Sequence, residues 1–445
     1  MLRRTSDVFV KVAERWMPDP LVIAIFLTAV SFAAALMFTD FSAGQAVEAW
    51  GNSYWTLLRF TAQMILILAL GHVLANTRAV RRLLVAVANL VRSAQMAYVG
   101  LTMFAGLAAL VSWGLGLIVP AVLARIVANN CRERGIKVHF PLLVAGGYCG
   151  SIVGMQGLSA SIPLLLNTPG HFLESRIGLI SLNQTIFSWW SLSIVAAIIV
   201  ILPQVLRRLA PTDDEHVIEI SAAVGNEPAQ DSHAAKRSAV TPSQKMENAR
   251  WITLLLALLG GVYVVRFFLG GGELQLDSLN MIFVVLGLAF ADSPRHYVEL
   301  LSNAAKVAGP FLIQYPLYSC LMGLIADSGL AALIVGGFVA VANAETLPIW
   351  TFFSAGFLNM FIPSAGGQWA VQGPIVTEAA IQLGADIPRV AMSVAVGEVW
   401  TNTIQPLYAV PVLAIAGLHI RDIMGYCVIA LLTLAPIYLT ALMFF

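Results

Sequence analysis

Apolar runs of roughly 20 residues, the length that crosses hydrocarbon as a helix, recur along this chain. The clearest cover 20–38, 186–206, 251–269 and 423–445, and a shorter one covers 278–291. Two further apolar stretches, about 250 residues apart, are interrupted by the same kinds of residue in the same order. The first reads AGLAALVSWGLGLIVP from Ala105, and the second AGFLNMFIPSAGGQWAVQGP from Ala355. Downstream, Gln156-Gly-Leu before Pro163 is echoed by Gln405-Pro-Leu before Pro411. Upstream, Leu74-Ala-Asn-Thr77 is echoed by Ile325-Ala-Asp-Ser328. Glycine, proline, serine and asparagine free backbone groups that hydrocarbon cannot satisfy, so such breaks belong where the chain lines a polar cavity. Interrupted segments in corresponding halves point to the binding site of a secondary transporter. The pattern predicts an all-α polytopic membrane protein with two repeats, each holding a re-entrant hairpin and a broken helix.

Composition agrees. Hydrophobic residues make up 59% of the chain and charged residues 11%, against about 25% charged in a soluble domain. A net charge of +1 gives no reason to expect nucleic acid. The position of the charges is more informative, because basic residues stay on the cytoplasmic side. Residues 77–96 carry Arg78, Arg81, Arg82 and Arg92 without an acid, and residues 125–137 add Arg132 and Arg134. Both are read as inside loops, so the stretch 97–124 between them enters and leaves by one side, as a re-entrant hairpin or a tight helix pair. The corresponding flanks of the second half, 327–347 and 377–388, hold Asp327, Glu345, Glu378 and Asp386 and no Lys or Arg. The bias is reversed, as an inverted-topology repeat requires.

The run after the basic N-terminus is longer than the 7–15 residues of a signal-peptide core, so it reads as an uncleaved first helix preceded by a cytoplasmic amphipathic segment. The implied divisions are 1–55 for that segment and helix, 56–206 for the first repeat, 207–250 for a polar cytoplasmic linker expected to be disordered, 251–307 for connecting helices, and 308–445 for the second repeat. Cys131, Cys149, Cys320 and Cys427 form no paired motif, so neither a metal site nor a disulfide is expected. No Walker or dinucleotide motif is present, and no cofactor is expected beyond Na⁺ or H⁺ as a coupling ion.

The candidate site residues lie at the breaks. In the second hairpin, Pro363, Gly366 and Gly367 permit a non-helical tip, and Ser364, Gln368 and Gln372 add hydrogen-bonding groups. Beside a helix N-terminus such a loop can hold a carboxylate; the alternative is a glycine-mediated helix contact. In the second broken helix, Glu398, Asn402 and Gln405 share one stripe, with Thr403 beside them and Pro406 interrupting. An acid at a helix centre costs about 2.5–3.5 kcal/mol on insertion scales, so Glu398 should face a cavity or a partner and is the coupling candidate. The alternative places it wet at a helix start. By equal spacing, its first-half counterpart is Cys149. The first break supplies Ser159, Ser161, Asn167 and Thr168. Gly157-Leu-Ser159-Ala also resembles the surround of a membrane-embedded serine nucleophile, with His72, His139 or His171 as base. A solvated histidine at a helix end is the commoner explanation for His139 and His171.

Several long motifs are similar to the bacterial short-chain fatty acid transporter family. They are Trp16-Met-Pro-Asp-Pro-Leu, Trp113-Gly-Leu-Gly-Leu, Pro163-Leu-Leu-Leu-Asn-Thr-Pro-Gly170, Pro363-Ser-Ala-Gly-Gly-Gln-Trp369, Val371-Gln-Gly-Pro374 and Ala416-Gly-Leu-His-Ile-Arg-Asp-Ile-Met-Gly-Tyr-Cys427. The resemblance spans nearly the whole chain outside 207–250. It implies an inner-membrane carrier, not an enzyme, for small monocarboxylates such as butyrate or acetoacetate. Through a wider ion-transporter superfamily it also implies inverted repeats and an elevator-like movement. The chain departs from the family where Pro363-Ser-Ala-Gly-Gly replaces an all-glycine run after the serine. The expected partners are a monocarboxylate, the lipid bilayer and, as an option left open, a second copy of the chain. The other readings are a sodium-coupled carrier of another organic anion and an intramembrane serine hydrolase.

Overall fold

A computed structural model describes residue 18 and residues 20–211, 216–221 and 241–444; the expected amphipathic segment at 1–17 and most of the linker lie outside these. The described residues are helical and contain no strand. Eight of their helices are long and apolar enough to cross a membrane, and the expected runs are among them, at Leu21–Phe38, Trp189–Arg207, Arg250–Leu269 and Ile420–Phe444. The protein is a multi-pass membrane protein.

The order of elements recurs. Helix Leu58–Ala75 turns through Asn76 and Thr77 into a short helix, Arg78–Asn89. The hairpin Ala94–Val111 and Trp113–Glu133 follows, then a broken helix, Phe140–Gly150 and Ser161–Leu166, then Trp189–Arg207. In the second half, Phe311–Asp327 turns by 76° into Leu330–Val341. The hairpin Leu347–Asn359 and Ala365–Leu383, the broken helix Ile387–Asn402 and Pro406–Ala416, and Ile420–Phe444 complete it. The halves interlock. The short arm after each break packs on the other half's hairpin, 406–416 against 113–133 and 161–166 against 365–383. The broken helices form the centre: 94% of the most apolar 18-residue window within 140–166 is buried inside the protein, against 17% of that within 250–269 at the edge.

Small residues allow the central helices to approach. A Cβ on Gly150 would overlap the Thr102 carbonyl oxygen and crowd Ala105, and one on Gly397 would overlap the Phe352 carbonyl oxygen and crowd Ala355. Gly106 and Gly356 face these same two glycines in turn. This matching of contacts sets Ser151, not Cys149, opposite Glu398, because the loop entering the broken helix is longer in the first half, 134–139 against 384–386. The breaks that follow differ too. Ten residues separate the arms at 151–160, partly as a 3₁₀ turn, but three do so at 403–405. The four cysteines are buried free thiols, with Cys149 and Cys427 Sγ atoms 3.8 Å apart.

The basic stretch 77–96, read as a loop, instead contains helix 78–89. Thr77 caps it by accepting from the Val80 N–H, and Leu84 and Ala88 bury one face. The expected disordered linker also holds structure. A capping box of Thr241 and Gln244 starts the helix Pro242–Glu247. Ile218 pairs with Phe140 and with the His139 ring, while Ile220 is buried. Their alternation was too short to read as a docking segment.

Polar contacts collect the loops into two sets. In one, Arg134 donates to the Val91 carbonyl, Asn130 to Asn89, Arg132 to the Ile220 carbonyl and Arg125 to the Ile415 carbonyl, and Arg78 pairs with Asp292. In the other, Arg59 pairs with Asp277, Asn167 donates to the Leu274 carbonyl, Arg176 pairs with Glu378, and Arg389 donates to the Leu442 carbonyl. The helices 58–75 and 276–290 and both broken helices each run from one set to the other. The expected result is that single cysteines replacing Arg82 and Lys137, in a background lacking the native four, react with an impermeant maleimide from one side of the membrane. Cysteines replacing Glu345 and Glu378 should react from the opposite side. Reaction of all four from one side would contradict this division.

Candidate functional site

Both hairpins turn at a serine. Ser112 precedes 113–133 with φ −155° and ψ 130°, and Ser364 precedes 365–383 with φ −155° and ψ 111°. Ser112 ends one arm and opens the next, whereas Ser364 only opens the second arm after the turn 360–364, and the two hydroxyls behave differently. Ser364 Oγ accepts from the Gly367 N–H and is 2.9 Å from the Tyr315 hydroxyl. The N–H groups of Ala365 and Gly366 have no intrahelical acceptor, as at any helix start. In the first half the hydroxyl of Ser159, from the break, accepts the Trp113 N–H at 2.8 Å. The first amide of that helix start is thus satisfied from the break.

One cavity, of about 380 Å³, lies against the open helix start. Ser364, Ala365, Gly366, Tyr315 and Gln314 border it on one side. Met64, Leu68, Trp113, Leu117 and Met155 supply apolar wall, and Ser161, Glu398 and Tyr408 join them from the broken helices. No lysine or arginine lines it. Gly366 and Gly367 sit in the first helical turn rather than in a non-helical tip. A Cβ on Gly366 would come within 2.9 Å of the Phe60 ring and the Tyr315 hydroxyl, and one on Gly367 within 2.6 Å of the Tyr318 ring. The glycines therefore let the helix start press against an aromatic wall, and Gly366 also borders the cavity.

Behind the cavity lies a polar network. Glu398 is 1% exposed; its Oε1 accepts from Asn402 Nδ2 at 2.9 Å, and its Oε2 has no partner. Asn359 Nδ2 donates to Asn402 Oδ1 at 2.7 Å and to Thr401 Oγ1 at 2.9 Å. Gln405 Nε2 donates to the Asn359 carbonyl, and Gln368 Nε2 to the Ala355 carbonyl. The oxygens Glu398 Oε2, Asn359 Oδ1, Gln368 Oε1 and Gln405 Oε1 are buried without a donor. Leaving such an acceptor dry costs about 1–3 kcal/mol. A local excess of acceptors suits a proton, a cation or water. Among the described residues no group of three or more His, Cys, Asp or Glu could hold a metal ion.

Of the residues singled out by sequence, Ser161, Ser364, Gly366 and Glu398 border the cavity. Asn402, Gln405 and Gln368 support it from behind, while Thr403 bonds the Trp400 carbonyl. Asn167 and Thr168 stand apart: Asn167 donates to the Leu274 carbonyl, and Thr168 accepts from the Leu276 N–H, tying a loop. Sequence reasoning missed Tyr315, Gln314, Asn359 and the apolar wall. Asn359, just before the tip, was legible as a polar residue in an apolar run; the wall residues carry no such signal.

The sequence model of the family described as Short chain fatty acid transporter matches residues 1–445. The chain belongs to the short-chain fatty acid transporter family. Two relatives, each bearing the name "Putative short-chain fatty acid transporter", align over their full length and over all of this chain. The one from Escherichia coli (strain K12) is 37% identical and the one from Haemophilus influenzae 34%. Two solved structures share the fold at 15% identity. The YdaH transporter of Alcanivorax borkumensis, described as having an unusual topology, has a TM-score of 0.61 with 96% of this chain and 98% of that one covered. MtrF of Neisseria gonorrhoeae, described among antimetabolite efflux pumps, has a TM-score of 0.53 with 100% and 96% covered.

Because its hydroxyl caps a buried helix start, Ser159→Ala is expected to lower stability by about 1–3 kcal/mol, the cost of an unsatisfied buried N–H. Denaturant unfolding in detergent checks this, and a fluorophosphonate probe should leave Ser159 unlabelled. Covalent labelling of Ser159 would instead support the hydrolase reading.

Proposed function

We propose that the protein is a secondary active transporter of short-chain monocarboxylates, coupled to H⁺ or Na⁺. The observation that carries this is the cavity, with one open helix start on its polar side and an apolar wall around the rest. A helix N-terminus offers roughly half a positive charge and free amides, which suits one carboxylate. A dicarboxylate would call for cationic side chains, and none lines the cavity. Its volume of about 380 Å³ is near the lower end for ligand pockets, fitting a small acid. The names of the two relatives support the same substrate class.

Coupling falls to Glu398. A buried carboxylate without a countercharge is unfavourable, so it carries a proton or holds a cation. Its bare Oε2 and the neighbouring bare amide oxygens leave room for either. The recurrence of elements and the opposite attachment of the two hairpins support an inverted repeat, in which one half moves against the other to expose the cavity alternately. The localisation this reading implies is a bacterial inner membrane, with the arginine-rich face of 78–92 and 132–134 toward the cytoplasm.

Uptake of labelled C2–C6 acids into proteoliposomes, with pH and sodium gradients imposed separately, tests the reading. A buried methylene is worth about 0.8 kcal/mol, so affinity should rise roughly fourfold per carbon until the chain reaches Trp113. Glu398→Gln is expected to abolish uphill uptake under the driving gradient yet retain exchange between two loaded compartments. A Glu398→Gln protein that concentrates substrate as well as the parent under both gradients would remove Glu398 from coupling.

A further inference from the structure

We propose that Arg78, Arg81 and Arg82 form a binding site for the phosphate headgroup of an anionic phospholipid. With Val85, these arginines line an open groove of about 350 Å³. Their spacing, i, i+3, i+4 and i+7, places them on one stripe of the helix Arg78–Asn89. Like charges at this spacing repel. Among the described residues the one carboxylate paired with the stripe is that of Asp292, 3.0 Å from Arg78. Among the described residues Arg81 and Arg82 meet no acid, so the stripe carries about two uncompensated charges. Guanidinium groups match phosphate oxygens in paired hydrogen bonds, so a phosphodiester completes the stripe.

The occupant is a lipid rather than a soluble anion because of what flanks the groove. On the same helix Leu83 and Val85 are 54% and 41% exposed, and Leu90 at its end is 63% exposed. A short helix with buried Leu84 and Ala88, basic residues and exposed leucines suits the membrane interface, with acyl chains beside it. The corresponding helix of the second half, Leu330–Val341, carries no charge at all. The basic stripe therefore marks one leaflet, and basic groups at that depth attract anionic lipid.

Native mass spectrometry of the full-length protein, supplied with equal amounts of phosphatidylglycerol and phosphatidylcholine of the same acyl chains, tests this. The wild type should retain phosphatidylglycerol in several-fold excess and show a raised thermal midpoint with it. The R81Q/R82Q double variant should bring the retention ratio near one with its lipid-free midpoint unchanged, and R81K/R82K, which keeps the charge, should restore part of the excess. Equal retention of the two lipids by the wild type would overturn the proposal, as would an undiminished ratio in R81Q/R82Q. A midpoint shift reproduced by inorganic phosphate alone would mean a small-anion site and would overturn it too.

Discussion

A helix that stops inside hydrocarbon exposes N–H and C=O groups that lipid cannot satisfy, and this chain interrupts its apolar helices at four points. Everything central answers that constraint. Breaks at 112, 151–160, 360–364 and 403–405 are enclosed by the opposite half, whose short arms lie across the hairpins. At some breaks the chain supplies partners of its own, as Ser159 accepts the Trp113 N–H and Gln405 donates to the Asn359 carbonyl. Where it does not, at Ala365 and Gly366, a cavity remains.

The two halves have thus taken different roles. In the first, Ser159 accepts the Trp113 N–H, and Trp113 borders the cavity. In the second, Ser364 shares its hydroxyl with Tyr315, leaving the first amides open, and Glu398 supplies the acid. Ser151, opposite Glu398, turns back on the Tyr148 carbonyl. A repeat with two equivalent sites would need charge in both halves. A single asymmetric cavity between the halves needs it in one, which fits one substrate and one coupling group.

The architecture was legible because hydrophobic length and interrupting residues are one-dimensional signals. The spans, the hairpins and both broken helices could be read from the chain, as could Ser161, Ser364, Gly366 and Glu398 as candidates. What escaped depends on distances between segments. Tyr315 looks like an ordinary aromatic in an apolar helix until the 311–327 helix is laid against Ser364. Asn167 and Thr168 look like site residues because they are polar at a break, yet the loop at 274–276 claims their hydrogen bonds. Equal spacing misaligned Glu398 with Cys149 because the loops 134–139 and 384–386 that enter the broken helices differ in length, which the glycine contacts reveal. The helix at 78–89 hid behind its arginines, since charge made a loop the simpler reading.

The central claim is that the open helix start of the second hairpin holds a carboxylate whose tail points toward the apolar wall. A crystal structure of the protein with 4-bromobutyrate, located by the anomalous signal of bromine, tests it most directly. The account predicts bromine beside Trp113, Leu117 and Met64, with the carboxylate against Ser364 and the amides of Ala365 and Gly366. Bromine outside this cavity, or lodged at Ser364 with the carboxylate turned toward Leu117, would contradict it.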